Sequence, residues 1–229
     1  VVKRSLKELN DKDRGFDVRR LISLISRAKN HGGAFSVPPG TDPDYAEVGR
    51  EVFEKYQRGL FSMACVDFDD LILLPATIWR KDADLLEEYR WQYRYLLIDE
   101  YQDTNRAQFE LVKLLAGERQ NVCAVGDDDQ SIYGWRGAEV EHILRFDKQF
   151  KNVTEVRLEQ NYRSTGHILN AANAVIAKNT SRKAKRLWTD QGDGERIRVV
   201  QAKDEDDEAK FISDEILKIQ YEEKRPLSH

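Results

Sequence analysis

Cysteine is scarce in this sequence, with only Cys65 and Cys123 among 229 residues. The pair has no metal-ligand spacing and no disulfide framework, and it fits a reducing, cytoplasmic compartment. Long apolar runs are missing too. The longest, around Leu71 to Leu74, is interrupted by Pro75, so no segment is long enough to span a membrane. The N-terminus lacks the apolar core of a signal peptide. It begins at Val1 rather than Met, which suggests an excised segment. Nor is positive charge in excess. The net charge is −4, so any contact with nucleic acid must come from local patches rather than a general basic coat. Internal repeats and low-complexity stretches are absent as well.

What is present is ordinary for a folded soluble protein. Hydrophobic residues make up 40% and charged residues 34%, which argues against disorder. The length allows one or two domains with a real core. Helical periodicity dominates the first 65 or so residues. Leu21, Ile22, Ile25 and Ala28 share one face of a helix over 17–30, and Tyr45, Val48, Val52, Phe53 and Tyr56 repeat likewise. A loop rich in Gly and Pro, 32–44, separates them. Helices are predicted over 69–79, with a kink or break at Pro75, and over 85–94. The texture then changes to buried strands alternating with helices. Strands are predicted at 95–98, 121–125, 153–158 and 197–201. The helices between and after them are expected at 106–116, stopped by Gly117, at 165–178 and at 204–221. That alternation argues for a parallel α/β architecture from about Tyr95 onward. The best loop of the second half is 179–195.

Three clusters stand at strand ends, where parallel α/β sheets bind ligands. Asp99-Glu100-Tyr101-Gln102-Asp103 follows Leu96-Leu97-Ile98 directly. Two carboxylates there suit a Mg²⁺-nucleotide site, Asp99 holding the hard cation and Glu100 aligning or deprotonating an attacking water. Acids at a helix start serve equally well as a solvated turn. For a bare Asp-Glu the two readings balance, and Gln102 and Asp103 tip them toward chemistry. The second cluster runs from Gly126 to Ala138. Gln130 offers a carboxamide that can sense a γ-phosphate. Tyr133 and Trp135 offer flat faces for bases, worth roughly 1–3 kcal/mol per stacked base, and Arg136 can reach phosphate or stack. An aromatic pair alone is more often core, but Gly134, Gly137 and three acids place this one on a loop. In the third cluster, Gln160-Asn161-Tyr162-Arg163-Ser164, Arg163 can neutralise charge on a transferring phosphoryl group and Tyr162 can stack on adenine. Ser164 or Thr165 would cap the next helix. Alone, this cluster reads more simply as a strand-to-helix turn with a surface arginine.

Together, in this order, the clusters resemble the superfamily-1 DNA helicases of the Rep/UvrD/PcrA type. Asp99 to Asp103 is similar to the family's Walker B motif and Gly126 to Ala138 to the motif that couples ATP to DNA. Gln160 to Ser164 resembles the motif that opens the second motor domain. Val66-Asp67-Phe68-Asp69-Asp70-Leu71, Arg186-Leu187-Trp188 and Gly192-Asp193-Gly194-Glu195 also resemble family segments. The likeness covers nearly the whole chain, and its detail most resembles the Rep branch. It implies parts of two RecA-like P-loop NTPase domains plus an all-helical insertion. Residues 1–65 would be the insertion, 66–150 the later part of the first motor domain and 151–229 the start of the second, with ATP between the motor domains. It implies ATP and Mg²⁺ as ligands, Asp99 on the metal, Glu100 as catalytic base, and Gln130 and Arg163 at the γ-phosphate. Tyr162 would lie on adenine. Tyr133, Trp135 and Arg136 would lie along single-stranded DNA beside duplex junctions, with 3′-to-5′ movement. Phe68 is read as a core residue sooner than a DNA contact.

One family element is missing. No Gly-x-x-x-x-Gly-Lys-Ser/Thr occurs, and the Gly32 to Gly40 stretch has neither the lysine nor the spacing. Without that phosphate cradle, the chain alone is expected to be inactive, and the strands at Tyr95 and Asn121 are expected to lack a neighbour. A different class, a non-catalytic DNA-binding or interaction module of the same fold, is the alternative. The presence of Asp99, Glu100, Gln130 and Arg163 together speaks against it.

Overall fold

In the computed structural model, residues 1–2, 15–222, 224 and 226 are described. The chain divides into two compact units. The first is Val1–Arg157 with Asn179–Ala184, and the second is Leu158–Lys178 with Lys185–His229.

The first unit opens with helix α1, Val18–Asn30, started by Asp17, whose carboxylate accepts from Arg19 N. Helix α2, Pro43–Ser62, starts at an Asp42-Pro43 pair, a cap followed by a proline at the first helical position. That start signal and the continuing periodicity make α2 longer at both ends than the Tyr45–Tyr56 repeat. Leu21 and Ile25 meet Val48 and Val52 in one apolar cluster, each pair four residues apart on its helix. Helix α3, Asp70–Lys81, continues through Pro75, so the chain does not break there. Its buried face, Leu73, Ala76 and Trp79, holds it against its neighbours, and tertiary packing outweighs one missing backbone donor. Helix α4, Ala83–Gln92, begins two residues earlier than predicted, because Asp82 caps it by accepting from Leu85 N.

Strand β1, Leu96–Ile98, helix α5, Arg106–Ala116, and strand β2, Val122–Ala124, form a parallel β-α-β unit. Leu96 pairs with Val122, Leu97 with Cys123 and Ile98 with Ala124. A full capping box of Asn105 and Gln108 starts α5. Gly117 stops it at φ 49°, where a Cβ would lie 2.8 Å from Arg90 Nε. Short helices α6, Glu141–Leu144, and α7, Phe146–Gln149, complete the core with Tyr101, Phe109 and Phe150. Leu96, Ile98, Val122 and Ala124 face this core. Leu97, on the other face, is 80% exposed, as expected for a parallel pair without its usual second layer.

Two expected strands do not form. Residues 153–158 and 197–201 have no regular secondary structure, and among the described residues the sheet has β1 and β2 alone. Val156, Leu158 and Val199 are exposed. An apolar run becomes a strand only when a neighbour takes its backbone hydrogen bonds, and neither segment has one here. The second unit holds helices α8, Gly166–Ile176, and α9, Glu205–Glu222, with one parallel bridge from Gln160 to Trp188. The loop predicted at 179–195 is divided. Asn179–Ala184 belongs to the first unit, where Arg182 grips Asp129 with two bonds of 2.7 and 2.5 Å. The remainder folds along 159–167. Among the described residues no helix is long and apolar enough to cross a membrane.

Candidate functional site

The acidic turn leaves the carboxyl end of β1. Asp99 and Glu100 are exposed, and Asp99 Oδ1 accepts from Glu100 N at 2.9 Å. Glu100 adopts the left-handed conformation, φ 50° and ψ 43°, at a cost of about 1–2 kcal/mol for a residue with a Cβ. The strain is offset on each side, with Tyr101 N donating to Val125 O and Asp103 N to Glu100 O, both at 2.9 Å. Tyr101 is fully buried edge-on to Phe146, and burial pushes its phenol up to about 12. Burial, and then the charge of Glu100, raise the Asp103 carboxyl above the usual range. Gln102 is buried, its carboxamide donating to Glu100 Oε2 at 2.8 Å and accepting from Asp127 N at 2.9 Å.

Asp127 opens the second cluster at the end of β2. Its carboxylate accepts from Asp129 N at 3.0 Å and from Gln130 Nε2 at 2.7 Å, so Gln130 stands at this same end of the sheet. The chain then turns through Gly134–Arg136 to Gly137, at φ +89°. Trp135 is 81% exposed, so it is not a core residue. Its ring lies 6.5 Å from that of Tyr133, and the Arg136 guanidinium sits 5.5 Å from the Trp135 ring and 5.9 Å from the Tyr133 ring. These three residues help line a groove of about 840 Å³, as does Asp103 of the first cluster. Residues that the sequence reading missed line it too, including Arg19, Ser23, Arg27 and Asn30 from α1 and Asn105 at the α5 start. Arg27 Nε is buried without a hydrogen-bond partner among the described residues. The polar side of the α1 periodicity carried the signal for these residues; nothing in it named the aromatic turn as their neighbour.

A second omission lies behind the groove. Lys29 is fully buried and bonds Asp67 at 2.6 Å and Asp70 at 2.8 Å, and Tyr56 donates to Asp67 at 2.9 Å. Burial pushes the Asp67 carboxyl up, but Lys29, the Asp70 N–H and Tyr56 outweigh it and hold it below the usual range. Asn30 joins the same region, donating to Asp69 Oδ1 at 3.1 Å and accepting from Asn105 Nδ2 at 2.7 Å. Phe68, read as core, is 89% exposed instead. Its neighbours turn inward instead, Asp70 buried and Asp67 partly so, because they satisfy Lys29.

In the second unit, Asn161 N donates to Trp188 O at 2.7 Å and Trp188 N to Glu159 O at 3.0 Å. Tyr162 and Arg163 are exposed on this turn, with the Tyr162 hydroxyl donating to Gln160 Oε1 at 2.8 Å. Thr165 is the N-cap of α8 by position only, since its side chain makes no capping bond. The Gly192 and Asp193 carbonyls take the Gly166 and His167 N–H groups instead, at 2.8 and 2.9 Å. Gly194 permits this approach, because a Cβ there, at φ +70°, would stand 2.3 Å from Thr165 Oγ1.

Two parallel strands joined by a helix, with acids after their carboxyl ends and an aromatic, arginine-lined groove in the same unit, define an α/β class of protein. Comparison with known families is specific. The UvrD/REP helicase N-terminal domain matches residues 2–151, and the UvrD-like helicase C-terminal domain matches residues 156–228. The chain belongs to the UvrD/REP helicase family. It is 45% identical over 221 residues to a Staphylococcus aureus protein named ATP-dependent DNA helicase PcrA, covering 96% of this chain and 30% of that protein. A Leuconostoc citreum protein of the same name is 46% identical over 213 residues, 93% of this chain and 28% of its own. The chain therefore spans about 30% of the length of such relatives. The assignment is to the family, not to a branch within it.

Proposed function

We propose that the chain is part of an ATP-dependent 3′-to-5′ DNA helicase or translocase that couples ATP hydrolysis to movement on single-stranded DNA and to opening of duplex junctions. The observation that carries this reading is that the acidic turn and the aromatic groove grow from the same pair of strands. A nucleotide-facing carboxylate and a base-stacking surface are thereby joined through a few residues. In this reading residues 1–65 form a helical insertion, 66–150 the later part of the first motor domain and 151–229 the start of the second.

Glu100 orients or deprotonates the attacking water, and Gln130 meets the γ-phosphate. Asp99 would hold Mg²⁺, which supplies neutralisation of phosphate charge when bound. Its single exposed carboxylate suits an ion whose other ligands would be water and phosphate oxygens. Tyr162 stacks on adenine, and Arg163 neutralises charge on the transferring phosphoryl group. Tyr133, Trp135 and Arg136 take bases, while Arg19 and Arg27, which line the same groove, suit the phosphate backbone.

The test is ATP turnover by the full-length protein containing this chain, with and without oligo-thymidylate, beside Glu100→Gln. Strong DNA stimulation that disappears in the variant supports the motor reading. A well-folded full-length protein with no turnover overturns it in favour of a non-catalytic binding module.

A further inference from the structure

We infer that Gln102 is a positioning residue that clamps the Glu100 carboxylate to the start of the aromatic segment, so that a strand in the groove acts on Glu100 through one carboxamide. This rests on the reading of Glu100 as the catalytic carboxylate.

Gln102 is 1% exposed, and both ends of its side chain are used. The Nε2 group donates to Glu100 Oε2 and Oε1 accepts from Asp127 N. A carboxylate only accepts and a backbone N–H only donates, so this orientation of the amide is the one that satisfies both partners. The backbone of Gln102 adds a third tie, accepting from Ser131 Oγ at 3.5 Å. Space is closed as well as polarity. A Cβ on Gly126 would stand 2.6 Å from Gln102 Oε1 and 2.8 Å from Ile143 Cδ1. Gly126 is thus part of the clamp, because its missing side chain lets the β2 end approach the amide.

The two partners belong to different clusters, one after β1 and one after β2. Glu100 is held left-handed, with its carboxylate fixed by Gln102. Asp127 begins the segment that carries Gln130 through a side-chain bond and leads within a few residues to Tyr133, Trp135 and Arg136 in the groove. Asp103 lines that groove from the same turn that carries Glu100. A shift of the aromatic turn on a bound strand therefore reaches Asp127 N and Gln102 before Glu100. A merely structural glutamine would matter for stability alone. A clamp matters for rate at unchanged binding.

The experiment uses the full-length protein carrying this chain, Mg-ATP and an oligo-thymidylate strand, and compares wild type with Gln102→Met and Gln102→Glu. For Gln102→Met, DNA-stimulated kcat falls at least about tenfold while KM for ATP and Kd for the strand stay within about twofold. Gln102→Glu keeps the volume but sets a carboxylate where an N–H donated to Glu100, so its kcat falls to a similar extent at unchanged KM and Kd. Gln102→Met with wild-type kcat, or a loss of rate matched by an equal loss of strand affinity, overturns the clamp. If Gln102→Met does not fold, Gln102→Glu with wild-type kcat overturns it alone. Wild type without turnover sinks the reading of Glu100 instead, which separates the two failures.

Discussion

Removal of the Lys29 ammonium should be the most damaging single change in the first unit. Lys29 lies fully buried between Asp67 and Asp70, Asp70 being 2% exposed. Each contact is worth about 6 kcal/mol gross at an effective dielectric of 20. Desolvation of three charges costs several kcal/mol per ion, so the intact network contributes little net stability. The balance changes when the cation alone is lost. Lys29→Met leaves two carboxylates facing each other. Asp70 keeps only a 3.4 Å bond from Gln57 and a 3.3 Å bond from Asp67 N, while Asp67 keeps Tyr56 and the Asp70 N–H. The expected cost is about 3–5 kcal/mol, as for other broken buried pairs. Urea unfolding followed by far-ultraviolet circular dichroism reads it directly. The triple change Lys29→Met, Asp67→Asn, Asp70→Asn should recover most of the loss, because no uncompensated charge is then buried. A loss below about 1 kcal/mol, the scale of an exposed ion pair, would refute the reasoning.

Two other perturbations bear on the groove and on pH. Trp135→Ala should weaken oligo-thymidylate binding by about 1–3 kcal/mol without lowering thermal stability, since the ring is 81% exposed; fluorescence anisotropy of a labelled strand measures it, and unchanged affinity removes the ring from the track. His142 is buried against Phe109, with ring centroids 4.4 Å apart. Burial lowers its pKa below 6.5, against smaller opposing pulls led by Glu139. Folding then disfavours the protonated ring, so His142 costs nothing above its unfolded pKa, and stability falls as pH drops from there toward the folded pKa. Thermal melts between neutral and mildly acid pH should show a fall that His142→Gln removes; an equal fall in that variant would assign the effect elsewhere.

The sequence by itself determined what local chemistry controls. The Gly117 stop was read from the sequence, and the Asp17 and Asp42 caps and the Asn105–Gln108 capping box likewise set helix boundaries through bonds within a few residues. The positions of the first two clusters were legible too, because each follows an apolar run that does form a strand, whereas the third follows a run that does not. What only the tertiary structure decided depends on partners distant in sequence. The runs at 153–158 and 197–201 look like strands, yet a strand exists only when a neighbour shares its hydrogen bonds. Pro75 looks like a break, yet the burial of Leu73, Ala76 and Trp79 carries α3 through it. Lys29 looks like a surface lysine on an amphipathic helix until Asp67 and Asp70, about forty positions on, arrive beside it. Gln102 reads as one letter of a motif, and its two-sided clamp appears only where the β1 and β2 ends meet, because a hydrogen bond is fixed by distance in space and not by distance along the chain.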